Sequence, residues 1–320
     1  MKKAMTNSLI NPWATMQLNS IRRADPDILH SIFWMKAQDA SNCFYIKIKT
    51  EFSSTEINID LKKIDIVKRN NEGYGELFLI SKDEKDWELF LVLCNDIIVT
   101  IKRNEIEHKM IFEVQKRLKQ WQNLLKQNTN VSFSLTHQMG LFAELFILID
   151  ILIPRVGVPA ALLSWVGADH DKQDFSLLKF MIEAKSYLSS KGPKITISSA
   201  HQLFSTKPIY IAGMGLTLNS NGKSVIDLIS EIEKIILQES IEVYEEFERK
   251  LLAQGYMPGL KYSTIHKFNV DSIRFFEVND SFPKLLPNDI RSEIVSVKYI
   301  IDLQLCTNYE VALQNLIDRL

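Results

Sequence analysis

The run Asp174-Phe-Ser-Leu-Leu-Lys-Phe-Met-Ile-Glu-Ala-Lys185 opens on a carboxylate and closes on a carboxylate and an amine two positions apart. The apolar residues Phe180-Met181-Ile182 ahead of that pair read as a strand, in which residues i and i+2 point to one face. Glu183 and Lys185 then stand side by side, with Ala184 facing the other way. A hairpin turning near Leu178-Lys179 would bring Asp174 within reach of Glu183. Two carboxylates on one patch suit a hard divalent cation with oxygen ligands. The ammonium beside them can hold or polarise a water or a phosphate oxygen. That combination is suited to cleaving phosphodiesters.

Spacing alone does not single this pair out. An acid, any residue, then Lys recurs at Asp60/Lys62, Asp83/Lys85, Glu107/Lys109 and Glu248/Lys250. Asp83 and Lys85 lie in a polar turn. Glu107 and Glu248 lie in helical patterns, where i and i+2 do not share a face. Asp60 is the nearest rival, since Glu56 to Leu61 alternates like a strand. What the pair at 183 and 185 has in addition is its setting.

That setting is an ordinary globular chain whose 320 residues predict about two domains. It is 46% hydrophobic and 24% charged with a formal net charge of −1, so any nucleic-acid surface must be a local patch. Cys43, Cys94 and Cys306 are odd in number, far apart and in no metal-ligand spacing, which fits a reducing compartment. Asn7, Ser8, Asn11 and Pro12 interrupt any signal-peptide core after Lys2-Lys3. The most membrane-like run, Met139 to Ile153, contains Glu144 and Asp150; each would cost about 2.5–3.5 kcal/mol in lipid. It reads as a buried helix, and the expected location is cytoplasmic, away from membranes.

Three regions are expected. Residues 1–104 are predicted to be β-rich, with strands at 31–34, 44–49, 56–61 and 76–80. Trp87 to Lys102 would add two or three more around a turn at Cys94-Asn95-Asp96. Residues 105–238 form the second region. It opens with a helix over 105–127 whose basic face (Lys116, Arg117, Lys119, Lys126) is either a solvated surface or a phosphate-binding one. A linker at 128–134 leads to an apolar helix over 135–153. Glu144 stands inside that helix among Leu141, Phe142, Ala143, Leu145 and Phe146. A carboxylate taken from water needs a partner, a metal or an exposed edge. Further on, 195–198 is a short strand, Ser198 or Ser199 caps a helix carrying His201 and Gln202, 209–218 is a buried strand, and 225–236 is a helix. Residues 239–320 form the third region: a helix to Gln254, strands over 264–269, 273–278 and 295–303, and a closing helix over 310–320.

Two other motifs fail on inspection. Asp169-His170-Asp171 begins like a calcium loop, but Asp174 stands where the loop needs Gly and Phe180 where it needs Glu. His170 is expected to be a plain loop residue. Gly222-Lys223-Ser224 lacks the P-loop glycine five residues earlier, where Thr217 stands, and Ser224 with Asp227 reads as a capping box. Between Ser176 and Lys207 there are five lysines (179, 185, 191, 194 and 207) against one acid, Glu183, a local charge that suits a polyanion.

The order helix with Glu144, strand with Asp174, strand ending Glu183-Ala-Lys185, then strand and helix with Gln202 resembles the PD-(D/E)XK nuclease superfamily. More narrowly, Gly140-Leu-Phe-Ala-Glu144-Leu, Trp165-Val-Gly167, Asp174-Phe, Ile182-Glu-Ala-Lys185 and Ile197-Ser-Ser-Ala-His-Gln202-Leu are similar to a bacterial PD-(D/E)XK family found beside restriction and phage-defence genes. Phe282-Pro283 and Val297-Lys-Tyr299 are similar too. Gln173 stands where the motif name has Pro.

The resemblance implies an α/β fold. Its restriction-endonuclease-like core would be a mixed central sheet flanked by helices, with β-rich N- and C-terminal regions. It also implies that Asp174, Glu183, the Ala184 carbonyl and Glu144 hold Mg²⁺ (with Mn²⁺ able to substitute). Lys185 would position and activate a water, and Gln202 would orient that water or a phosphate. The implied activity is metal-dependent cleavage of double-stranded DNA by a homodimer, with companion ATPase- or helicase-like proteins. The alternative is a DNA-binding or scaffold subunit that does not cut alone.

Overall fold

The computed structural model describes residues 10–54, 56–127, 133–169, 171–236, 239–256, 262, 264–291 and 293–320. His170 and positions 128–132 of the expected linker lie outside the described residues. The chain divides into two compact units, residues 1–131 with 255–261 and residues 132–254 with 262–320. This differs from the three expected regions. The helix after residue 105 belongs to the first unit, and the C-terminal strands complete the sheet of the second.

The first unit is built on an antiparallel sheet of β1 (Ser20–Arg23), β2 (Ser31–Lys36), β3 (Asn42–Ile48), β4 (Ile64–Asn71) and β5 (Tyr74–Ser81), in the order β1-β2-β3-β5-β4. Alternation sends Ile32, Trp34, Phe44, Ile46, Leu77 and Leu79 into the core. Two expectations fail here. Residues 56–61 are not a strand: Ile57 takes a left-handed φ of 51°, Leu61 makes only an isolated bridge to Ile64, and the strand begins at Ile64. Trp87 to Lys102 is one helix, α1, rather than strands. Its β-branched and aromatic content imitates a strand. Phe90, Leu93, Cys94, Ile97 and Ile101 are nevertheless buried at helical spacing. Asp96, read as a turn residue, accepts Arg117 Nε at 2.6 Å and Nη2 at 2.5 Å and the Trp121 indole N–H at 2.7 Å, joining α1 to α2 (Glu107–Gln127).

The second unit opens with α3 (Leu135–Phe146), capped by Ser134 Oγ accepting the His137 N–H at 3.2 Å. Such a cap is worth about 1 kcal/mol. The expected helix over 135–153 passes through a π-helical turn at Ile147–Leu152 into α4 (Ile153–Val156). Pro154 has no N–H for the Asp150 carbonyl. Arg155 Nη1 approaches that carbonyl at 3.3 Å and the Ile151 carbonyl at 2.7 Å. Gly157, at φ 77°, ends α4 and α5 (Val158–Ser164) follows. Among the described residues no helix is long and apolar enough to cross a membrane.

Next come β6 (Phe175–Ser176), β7 (Met181–Leu188), β8 (Lys194–Ile197), β9 (Ile209–Ser224), α6 (Val225–Ile236), α7 (Ile241–Ala253), β10 (Lys267–Glu277), β11 (Tyr299–Asp302), β12 (Glu310–Val311) and α8 (Leu313–Ile317). The central sheet runs β12-β10-β9-β7-β6, with β7 and β9 parallel and the other pairs antiparallel. It is therefore mixed, as expected, and α3 packs on β7 and against α6.

The differences lie at the ends of elements. β9 runs on through Asn219 to Ser224, where a loop is expected; β10 pairs with it as far as Leu218 and again, across a register shift, at Ser224. A Cβ at Gly222 would overlap the Phe268 carbonyl, so the glycine serves strand packing. Ser224 and Asp227 do form the capping box. β8 pairs only with β11, in a separate two-stranded sheet. The expected helix after it is a single 3₁₀ turn, Ala200–Leu203, with no side-chain cap from Ser199. The expected strands 264–269 and 273–278 are one irregular strand, β10. Residues 295–298 are not in a strand, and the closing helix is only α8.

Candidate active site

β7 carries the pair that the sequence singles out. Glu183 and Lys185 share one face of the strand, with Lys185 Nζ 2.6 Å from Glu183 Oε1. The contact is an ion pair by distance and lacks hydrogen-bond geometry: neither carboxylate oxygen of Glu183 has a hydrogen-bond partner. Glu183 is only 1% exposed. Met181 pairs in register with Ile209 of β9, and Ile182 with Phe175 of β6, so the position of both side chains is fixed by the sheet.

The hairpin turns where expected and places Asp174, the residue before β6, beside β7. Asp174 Oδ2 accepts the Ala184 N–H at 2.7 Å. A strand residue sends its N–H and carbonyl to the same edge. The Ala184 carbonyl therefore leaves β7 on the side of Asp174. Gly167 N–H donates to the Asp174 carbonyl at 2.9 Å, and a Cβ at Gly167 would lie 2.9 Å from both Asp174 Cα and Oδ1. Only a residue without a side chain lets this loop lie flush against the acid. Gln173 also earns its place in the motif, since its Nε2 donates to the Gln202 carbonyl at 3.0 Å and the His201 carbonyl at 3.3 Å. Proline has no side-chain donor and could not make this tie.

Glu144 faces inward from α3 and is 9% exposed. The sequence leaves open whether it is paired, metal-bound or at a rim; the structure pairs it. Its Oε2 accepts the Trp165 indole N–H at 2.7 Å and Gln254 Nε2 at 3.1 Å. Gln202 is the residue that does not join the group directly. Its Oε1 accepts the Ser198 N–H at 2.7 Å, and it connects to Asp174 through Gln173.

Two buried carboxyl groups, Glu144 and Glu183, thus stand with the half-buried Asp174 and Lys185. Burial, aided by the Asp174 charge and opposed by Lys185, pushes the Glu183 carboxyl up to about 8. Burial and then the Asp174 charge hold Glu144 well above the carboxylate range, against the Trp165 hydrogen bond. Burial also raises Asp174, although Lys185 and the Ala184 N–H oppose it. For Lys185 burial works toward the neutral amine, but Glu183 and Asp174 outweigh it and its pKa is raised.

Three carboxyl groups whose ionised forms burial disfavours, with one ammonium among them, are chemically matched to a hard cation that would favour ionisation. Asp174, Glu183, the Ala184 carbonyl and Glu144 are the oxygen donors that such a cation would use. Among the described residues no three His, Cys, Asp or Glu side chains already stand as a metal-binding group. The fit is in donor type and charge.

The rival acids have other uses. Asp83 Oδ1 accepts the Lys85 N–H at 2.9 Å, and the Glu107 carboxylate accepts the Lys49 N–H at 2.9 and 3.0 Å. Sequence reasoning missed the supports of Glu144. Trp165 entered only as part of a motif, and Gln254 only as the end of a helix. A signal existed: Phe247, Lys250, Leu251 and Gln254 follow the i, i+3, i+4, i+7 stripe of an inward helix face, and two of the four are polar.

A family model described as "Putative PD-(D/E)XK family member, (DUF4420)" matches residues 9–304. A comparison with curated proteins finds none that matches, and a comparison with solved structures likewise finds none. The match takes in most of both units and every residue of the site, and the chain belongs to this PD-(D/E)XK family.

Proposed function

We propose that the chain is a metal-dependent, restriction-like DNA endonuclease that acts against foreign DNA. The observation that carries the reading is the buried Glu183 carboxylate, ion-paired to Lys185 but without a hydrogen-bond partner, with Asp174 fastened to the intervening Ala184. Asp174, Glu183 and the Ala184 carbonyl would hold Mg²⁺ or Mn²⁺, with Glu144 completing the set directly or through a water. When bound, the metal supplies Lewis-acid stabilisation and a more acidic water.

The protein's own groups do the rest. Lys185 keeps its proton at Nζ, because Glu183 and Asp174 favour the ammonium, and so offers N–H donors to a phosphate oxygen or to the attacking water. Trp165 and Gln254 fix Glu144. Gln202 orients a water or phosphate from its turn, once its Oε1 leaves the Ser198 N–H. Lys179, Lys191 and Lys194 give the surrounding strands a positive bias for the DNA backbone. A homodimer would present two such sites, one for each strand.

A second reading is favoured by the Glu183–Lys185 ion pair, which closes the site, and by the absence of a ready coordinating group among the described residues. On this reading the chain is a DNA-binding or scaffold subunit whose cutting needs a companion ATPase- or helicase-like protein. The deciding experiment is cleavage of supercoiled and linear DNA in Mg²⁺, Mn²⁺ or EDTA by wild type and Lys185→Ala. Metal-dependent cutting that the substitution abolishes supports the nuclease. Full cutting by Lys185→Ala overturns it, and DNA binding with no cutting by the folded wild type moves the conclusion to the subunit.

A further inference from the structure

Lys250 is 1% exposed, and a buried ammonium is costly unless its protons are taken. Its Nζ donates to the Trp165 backbone carbonyl at 2.5 Å, with Glu246 at 3.6 Å as a counter-charge. Trp165 is the residue whose indole N–H grips Glu144. Four residues on, one turn along α7 and on the same face, Gln254 donates to the same Glu144 oxygen. α3 returns the grip: His137, two turns before Glu144, meets the Gln254 carbonyl through Nε2 at 2.6 Å. The end of α7 therefore touches Glu144 twice, once directly and once through the backbone of its indole partner. A helix that only covered the core would place apolar residues at 250 and 254 and would need no buried ammonium.

We propose that Lys250 and Gln254 are positioning residues that hold the Glu144 carboxylate in place for the reaction. This rests on the nuclease reading of the site. Neither residue touches the substrate or the reacting atoms. Each acts by removing rotamers from Glu144, which hangs from a helix by a flexible side chain, whereas Asp174 and Glu183 are set by the sheet. Outer hydrogen-bond partners of this kind typically matter about 10–100-fold in metal affinity or rate.

The test uses the full chain with Lys250→Met, Gln254→Ala and Lys250→Arg, each checked for folding by circular dichroism. Two readouts separate this inference from the nuclease reading. The first is the indole N–H resonance of Trp165, assigned by its loss in Trp165→Phe and recorded without metal or DNA. The second is kcat and KM for plasmid cleavage in Mn²⁺.

Lys250→Met and Gln254→Ala should both shift the resonance and lower kcat by about 10–100-fold with KM unchanged. Lys250→Arg, which keeps a donor for the Trp165 carbonyl, should recover most of both. Gln254 is only partly buried, so its substitution remains decisive if Lys250→Met does not fold. An unmoved resonance overturns the proposal, as does a shifted resonance with wild-type kcat. If folded wild type cuts in neither Mg²⁺ nor Mn²⁺, the nuclease reading falls, while the resonance still reports whether α7 places Glu144.

Discussion

Each unit sets a carboxylate against a tryptophan indole at the same 2.7 Å, and the two are handled in opposite ways. In the first unit Asp96 also receives a two-pronged guanidinium from Arg117, so its charge is neutralised within reach of its own hydrogen bonds. In the second unit Glu144 receives only neutral donors, from Trp165 and Gln254, and shares its surroundings with two more carboxylates and a single ammonium. The first arrangement is closed and fastens two helices together. The second gathers three carboxyl groups around one ammonium, which is a cost in the free protein and, on the proposed reading, what a bound cation would relieve. The indole contact is common to both, so the charge around it separates a fastening from the proposed reactive site.

Four predictions bear on that contrast. The largest effect belongs to Lys185→Ala, which should lower metal-dependent cleavage by about 10²–10⁴-fold, the range for losing a positioned proton-handling group. Plasmid cleavage kinetics would measure it, and an unchanged rate would leave the second unit as inert as the first. Asp96→Asn should act the other way round. It should destabilise the protein by about 3 kcal/mol, because the Arg117 guanidinium is left largely buried without its counter-charge, yet leave the rate per folded molecule intact. Urea unfolding alongside cleavage would show whether stability and activity divide between the units in this way.

Gly167→Ala should destabilise by about 1–3 kcal/mol, since the new methyl group must displace Asp174. Unlike Asp96→Asn, it should also slow cleavage of the molecules that remain folded. The smallest effect is on pH dependence. Glu183 is raised from 4.5 to about 8, so the folded state holds its proton where the unfolded state has lost it. Stability of the metal-free protein should therefore be greatest below the lower value and fall as pH rises from about 4.5 to about 8. The slope from this group is at most about 1.4 kcal/mol per pH unit. Glu144 and Asp174 are shifted in the same direction and add to the fall. Glu183→Gln should flatten the profile and gain on wild type toward pH 8. Unfolding in EDTA across that range measures it, and parallel profiles would refute the claim that Glu183 sits in an uncompensated site.

The sequence alone determined what local periodicity and local spacing can carry. Same-face placement of Glu183 and Lys185 follows from a strand period of two, and a hairpin of so few residues can bring Asp174 only to that place. Glu144 was conspicuous as a charge in an apolar helix, and the Ser224–Asp227 capping box was legible because its partners lie within one turn. Where local preference and tertiary packing disagree, the sequence misled: α1 has strand-like residue types but is a helix, because its spacing buries Phe90, Cys94, Ile97 and Ile101 along one side.

Only the tertiary structure decided the partners of Glu144. Trp165 is 21 positions away and Gln254 is 110, and Lys250 reaches the site across 85 positions. The local stripe shows that Lys250 and Gln254 face inward but not what they meet, since a buried polar side chain is placed by whichever distant element arrives to satisfy it. The same holds for Gln202, whose short turn the sequence makes a helix and whose side chain the fold ties to Ser198. The chemistry of the site is written in adjacent residues, and its alignment depends on contacts that exist only once α7 has packed.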